Sequence, residues 1–244
     1  MIHYWINVDN SIMRKNFMET QFSTFNIKNS RVTAITPSDF STCLAHERPL
    51  TCKHKGCTSC EYEFACISSH IKAMRQALKS SNDNYFVIME DDIIIPYIID
   101  YDKIIAEAPK GFDILQLLIL YGPTVKYLYN ELYLNKNICF VKWQYLLPST
   151  GMYIISREGA NKLVNNYYKN NKYDFNSCEY QIVADVALYS SVNTFATTFP
   201  CAYPEIKMGS EIHPDHLDAH AITINDIKEV LEHELNNHIP YKKN

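Results

Sequence analysis

The stretch Tyr85-Phe86-Val87-Ile88-Met89-Glu90-Asp91-Asp92 decides the architecture. Its first five residues are apolar or aromatic and read as a short buried strand, which ends directly in three carboxylates. In open α/β sheets ligands bind at the carboxyl ends of the strands. An isolated acidic triplet is commonly a solvated turn, but here Ile93-Ile94-Ile95-Pro96 follows at once. Three negative charges between two buried runs suit a hard divalent cation such as Mg²⁺ or Mn²⁺, held through oxygen together with the oxygens of a substrate diphosphate.

Outward from this strand, helical and strand patterns alternate. On the amino-terminal side, Tyr62 to Leu78 places Phe64, Ile67, Ile71, Met74 and Leu78 at helical spacing. Before it, Ile2 to Val8 and Arg31 to Ile35 read as strands. They flank a helix that Ser11 caps and that presents Met13, Phe17, Met18 and Phe22 on one face. On the carboxyl-terminal side a helix is expected near Tyr101 to Ala108, then strands at Phe112 to Leu118 and Cys139 to Trp143. Met152 to Ile155 is a strand leading into a helix capped by Ser156, Val192 to Phe199 a further strand, and 225–236 a final amphipathic helix. Strands alternating with helices predict an α/β sheet covered on both faces.

Composition narrows the function. The 244 residues are 47% hydrophobic and 20% charged, a globular balance that suits one domain. A formal charge of −4 lacks the basic footprint of a nucleic-acid binder. No apolar run approaches the roughly 20 residues of a membrane span, and the opening lacks the pattern of a secretory signal, so a cytoplasmic location is expected. Eight cysteines are present, five of them between Cys43 and Cys66. In a reducing compartment such a cluster binds metal or stays reduced more often than it forms disulfides.

Several motifs in fixed order resemble glycosyltransferase family 25, the lipopolysaccharide-biosynthesis and procollagen galactosyltransferase-like enzymes. INVDNSIMR supplies Asn7, Asp9 and Arg14; YEFACISSH supplies Glu63, Cys66, Ser69 and His70; MEDD supplies Glu90 to Asp92. STGMYIISREGANKLV keeps Thr150, Tyr153, Ser156, Gly159, Ala160 and Leu163. Asp185 and the triplet Ser210-Glu211-Ile212 complete the series. Tyr62, Ala65 and Ser149 stand where the family has glycine, and Ala184 where it has proline.

The resemblance implies a single GT-A-like domain over 1–244 with a Rossmann-like central sheet. Its expected activity is metal-dependent, inverting transfer of a hexose, galactose or glucose, from a UDP-sugar to a glycan or protein hydroxyl. Mn²⁺ or Mg²⁺ would be held by Glu90, Asp92 and His213, with His216 and His220 as competing histidines. Asn7, Arg14, Ser69, His70, Lys72, Glu90 and Asp91 would lie at the donor. Asp185 is the first choice for the base that deprotonates the acceptor, and Glu211 the second.

Two other functions remain open: a nucleotide- or sugar-binding module of this fold without catalysis, and a zinc-knuckle interaction protein. The latter rests on the Cys/His-rich stretch at about 38–60. There Cys52, Cys57 and Cys60, with His54 among them and Cys43, His46 and Cys66 nearby, could hold a structural Zn²⁺. Cys66 is expected to pack as a small apolar side chain in its helix.

Overall fold

The computed structural model describes residues 1–45, 59–209, 217–235 and 239–243. The strands are β1 (His3–Asn7), β2 (Asn29–Thr33), β3 (Tyr85–Glu90), β4 (Ile93–Ile94), β5 (Ile114–Gln116), β6 (Phe140–Lys142), β7 (Met152–Ser156), β8 (Tyr168–Lys169), β9 (Lys172–Tyr173), β10 (Thr194–Thr197) and β11 (Tyr203–Pro204). The helices are α1 (Ile12–Thr24), α2 (Phe40–Cys43), α3 (Ser59–Ser80), α4 (Tyr101–Glu107), α5 (Gly122–Tyr127), α6 (Arg157–Tyr167), α7 (Ala184–Ser190) and α8 (Leu217–Leu235). A π-helical segment, Leu128–Leu134, continues α5.

Seven strands form one mixed sheet in the order β2-β1-β3-β7-β5-β10-β6. β1 pairs in parallel with both β2 and β3, and β10 in parallel with β5, whereas β7 and β6 run antiparallel to their neighbours. The two-residue period of the strands divides the core between the two faces. Trp5, Val87, Met89, Leu115, Met152 and Ile154 point to one face, where Met18 and Phe22 of α1, Ile104 of α4 and Ile227, Val230 and Leu231 of α8 cover them. Tyr4, Ile6, Phe86, Ile88, Tyr153 and Ile155 point to the other, beneath Ile67, Ile71 and Met74 of α3 and Leu163 of α6. The expected α/β sheet with helices on both faces is the observed architecture.

This arrangement fixes where ligands can enter. The chain leaves β1 through α1 on one face to reach β2, then returns through α3 on the opposite face to β3. β1 thus lies between strands connected over opposite faces, and a crevice opens beyond its carboxyl end. Ile6 and Glu90 are in register, which brings Asn7 and the acidic triplet together at that crevice.

Several local expectations shift. β2 begins at Asn29 and ends at Thr33, before the Ile35 expected. Ser11 stands at the start of α1, but its side chain makes no capping hydrogen bond, and Met13 is exposed while Met18 and Phe22 are buried. α8 starts at Leu217, about two turns before the predicted start. The irregular stretch beginning at Ser38 is in part helical: a 3-10 turn, Pro37–Asp39, leads into α2, and Leu44 is buried against Tyr173. Ser156 does cap α6, its hydroxyl accepting from the Gly159 amide at 2.9 Å.

Gly159 is required by packing. A Cβ there would stand 2.8 Å from Asp113 Cβ and 2.9 Å from Asp113 O, where α6 crosses the start of β5. Alanine would gain about 1 kcal/mol of helix propensity, but overpacking against rigid backbone costs about 1–3 kcal/mol. Gly159→Ala is therefore expected to lower the denaturation midpoint in a chemical melt, and an unchanged midpoint would remove the close approach as the reason for this glycine.

His3, at the start of β1, is buried with its Nε2 2.6 Å from the Tyr101 hydroxyl. Burial, helped by the nearby amino terminus, depresses its pKa from 6.5 to about 3. The unfolded chain thus takes up a proton near pH 6.5 that the folded chain refuses. Stability from this group is present above pH 6.5 and falls as pH drops toward 3, at up to about 1.4 kcal/mol per pH unit. His3→Phe should flatten the decline of unfolding free energy between pH 6 and 4 relative to the parent. Parallel curves would mean that His3 does not titrate this way.

Candidate functional site

At the carboxyl end of β1, the Asn7 Nδ2 donates to Asp91 Oδ2 at 2.6 Å. Arg14, on the first turn of α1, donates to Asp91 Oδ1 at 2.7 Å and reaches Asp92 Oδ2 at 3.6 Å. Its other terminal nitrogen donates to the carbonyls of Met208 and Gly209, at 3.2 and 2.8 Å. Arg31 on β2 in turn holds Asn7, donating to its Oδ1 at 2.7 Å and to Asp9 Oδ1 at 2.7 Å. Asn7 and Arg14 thus act on Asp91. Its two oxygens are engaged, and Glu90 and Asp92 are left to face the crevice.

Glu90 Oε1 accepts from the Thr150 hydroxyl at 2.9 Å and lies 3.6 Å from His70 Nε2. Burial alone would raise its pKa, but His70, Thr150 and Arg14 outweigh burial and hold the carboxyl below its ordinary value. Asp92 is displaced the other way: burial and the neighbouring carboxylates of Glu90 and Asp91 push it up to about 7, against the opposing pull of Arg14. The end of β3 therefore carries more negative charge than its neighbours balance, and oxygens are what it offers.

Two cavities meet on these carboxylates. The smaller, about 160 Å³, lies between the ends of β1 and β3, the segment Ala34 to Pro37 and α3, with Arg14, Ser69 and His70 among its walls. The larger, about 500 Å³, extends over β7 toward α7 and α8 and includes Glu63, Ser149, Asp185 and His220. Cys66, Glu90 and Asp92 line both.

Ser69 and Lys72 are engaged within the protein. The Ser69 hydroxyl accepts from the Ile35 amide at 2.8 Å and donates to the Ala65 carbonyl at 2.7 Å, tying α3 to the segment after β2. Lys72 Nζ donates to the Thr33 carbonyl at 2.7 Å, and burial lowers its pKa. His70 is fully buried, with Nδ1 3.0 Å from the Tyr153 hydroxyl. Cys66 packs against the core of its face as expected, and it is also half-buried at the junction of the two cavities. Burial, followed by the charges of Glu90, Glu63 and Asp185, raises its thiol pKa well above the usual value.

Asp185, in the first turn of α7, lines the larger cavity. Its Oδ2 accepts from the Ser149 amide at 3.0 Å and its Oδ1 from the Val186 amide at 2.8 Å, while burial raises its pKa. Ser149, at a family glycine position, has φ +113°, which a side chain rarely adopts. Its carbonyl accepts from Tyr189 Oη at 3.0 Å and Gln116 Nε2 at 2.9 Å, and its hydroxyl from the Gly151 amide at 3.0 Å. Those bonds replace the freedom a glycine would have.

His46, Cys52, His54, Cys57, Ser210, Glu211, Ile212, His213 and His216 lie outside the described residues, as does the zinc expectation that joins Cys52 and Cys57 to Cys60. Sequence reasoning did not single out Arg31, or Thr150 as the partner of Glu90. The signal for Thr150 was its place in the family motif; Arg31 had none, because its role depends on β1–β2 pairing. Among the described residues, no helix is long and apolar enough to cross a membrane.

Among solved structures, the chain is similar to A197 from STIV, at 14% identity and TM-score 0.41 over 88% of this chain and 90% of that one. It is also similar to a glycosyltransferase involved in the glycosylation of the major capsid of PBCV-1, at 8% identity and TM-score 0.32 over 66% and 62%. A third is glucosyl-3-phosphoglycerate synthase from Mycobacterium tuberculosis, solved with Mn²⁺, UDP-glucose and phosphoglyceric acid, at 10% identity and TM-score 0.34 over 95% and 79%. No curated protein matches the chain. The family model described as Glycosyltransferase family 25 (LPS biosynthesis protein) matches residues 1–178, and the chain belongs to that family.

Proposed function

We propose that the crevice binds a UDP-hexose, with galactose or glucose as the sugar, and transfers the hexose with inversion to a hydroxyl of a glycan or glycoprotein. The observation that carries this reading is the meeting of two cavities on Glu90 and Asp92 at the carboxyl end of β3. A donor and an acceptor could each occupy one cavity and react at the junction. The smaller cavity, walled by Arg14 and the segment after β2, suits the nucleotide; the larger suits the acceptor.

The donor set at the junction fits a hard cation. Asp92 and Glu90 offer carboxylate oxygens, and the burial and neighbouring negative charge that lift Asp92 are what a divalent ion would offset. Mn²⁺ or Mg²⁺ held there would neutralise charge developing on the departing diphosphate. Of the C-terminal histidines, His220 lines the larger cavity and is the described candidate to join them.

The chain's own residues then account for binding and proton transfer. Asn7 and Arg14 orient Asp91 and fix the turn that carries Asp92. Asp185 receives the acceptor hydroxyl proton as that oxygen attacks the anomeric carbon and the bond to the diphosphate breaks. Each Asp185 oxygen accepts one backbone N–H. Each keeps lone-pair capacity for a further contact, and the raised pKa makes the group a stronger base than an exposed carboxylate.

A panel of UDP-sugars with Mn²⁺ tests the reading. Asp92→Asn should cut turnover at least about 100-fold, the scale seen when one group stabilising developing charge is removed. Full activity in this variant would remove Asp92 from the cation site. Stabilisation by UDP and Mn²⁺ without turnover of any UDP-sugar would make the chain a binding module instead.

Asp185→Asn tests the base separately. A loss of about 10²–10⁴-fold in kcat with little change in donor KM is expected. An equal loss in stability and in donor binding would assign Asp185 to holding Ser149 alone.

A further inference from the structure

We propose that Cys66, His70 and Glu90 form a second cation site, selective for a soft or borderline divalent ion of the Zn²⁺ type, that shares Glu90 with the carboxylate site at Asp92. Cys66 and His70 are four residues apart on α3 and so share one face of the helix, which looks onto the end of β3. The Cys66 sulfur, a His70 ring nitrogen and a Glu90 carboxylate oxygen all lie within 4.8 Å of one another. Ligands around a tetrahedral zinc stand roughly 3.3–3.8 Å apart, given bonds of about 2.0–2.3 Å, so small side-chain rotations close the set.

The His70 imidazole supplies the independent sign of a ligand. Its Nε2 is buried, has no hydrogen-bond partner, and stands 3.6 Å from Glu90 Oε1. A buried nitrogen left unpaired is costly unless something fills its lone pair. In the metal-bound form Nδ1–H would donate to the Tyr153 hydroxyl, 3.0 Å away, and Nε2 would give up the proton that otherwise faces Glu90 and offer its lone pair to the ion. Zinc-binding histidines are held in this way, by an outer partner on the other ring nitrogen.

The donor chemistry separates the two sites. One sulfur, one imidazole nitrogen and one carboxylate oxygen favour zinc over manganese or magnesium, which prefer all-oxygen sets. Cys66 lines both cavities, so a fourth position is open to water or substrate. A bound ion would displace the thiol proton, sit between α3 and β3, and compete for Glu90. The site rests on these three side chains and does not depend on the transferase reading.

The test uses the full-length reduced protein stripped of metal, titrated with Co²⁺ alone and with Zn²⁺ alone. One Co²⁺ per site should give a thiolate-to-cobalt charge-transfer band that Zn²⁺ abolishes. Zn²⁺ should also protect Cys66 in the parent protein from maleimide, mapped by mass spectrometry. Tyr153→Phe should weaken binding about 10–100-fold, the usual effect of losing an outer partner, and Cys66→Ser should remove the Cys66 contribution to the band. Cys66 labelling unchanged by Zn²⁺, or a band of undiminished intensity in Cys66→Ser, would overturn the proposal; a band that is reduced but not abolished, with Cys66 protected, supports it and reports a second thiolate site at Cys52, Cys57 and Cys60. The labelling experiment needs no variant and stands even where a substitution impairs folding.

Discussion

The largely buried contact between Arg14 and Asp91 holds the site together. It joins α1 to the turn after β3 at 2.7 Å, while the same guanidinium ties down the carbonyls of Met208 and Gly209. Asn7 completes the grip on Asp91, and Arg31 completes the grip on Asn7. Removing one partner of a buried pair leaves a charge without compensation, at about 3–5 kcal/mol. Four separate segments therefore converge on a carboxylate that is not itself free to bind a cation. With Asp91 fixed, Glu90 and Asp92 face the crevice.

The same logic explains how the triplet tolerates its own charge. Glu90 is stabilised as an anion by His70, Thr150 and Arg14, whereas burial first and repulsion from Glu90 second raise Asp92. Two like groups at one strand end separate in proton affinity because their surroundings differ.

Much of this fold is legible in the sequence because it is periodic. α3 and α6 announce themselves through apolar spacing and, for α6, through the Ser156 cap; β3 and β7 do so as continuous apolar runs. The two-residue strands β4 and β11 escape detection because their pairing, Ile93 with Pro204 and Ile94 with Tyr203, joins residues more than a hundred positions apart. The place of Cys66 on a cavity wall escapes for a related reason. Helical spacing puts Cys66 beside apolar residues, and only the placement of β3 and the loop before β7 turns its face into a cavity wall. The candidate site was legible as the acidic triplet, Asn7 and Arg14, but the sequence could not show that Asn7 and Arg14 both act on Asp91.

Ser149 and Asp185 show what a departure from the family pattern means physically. A residue with φ +113° is strained by about 1–3 kcal/mol unless glycine occupies it. Here the Asp185 carboxylate, the Tyr189 hydroxyl, Gln116 and the Ser149 side chain itself hold the backbone in place. The proposed base is therefore also a structural clamp on the cavity wall. Its two backbone bonds fix the carboxylate where an acceptor hydroxyl would arrive, and its burial keeps its proton affinity high. Positioning and basicity thus come from one set of contacts. The loss of glycine at position 149 is accommodated by hydrogen bonds, and the backbone keeps its close approach to the crevice.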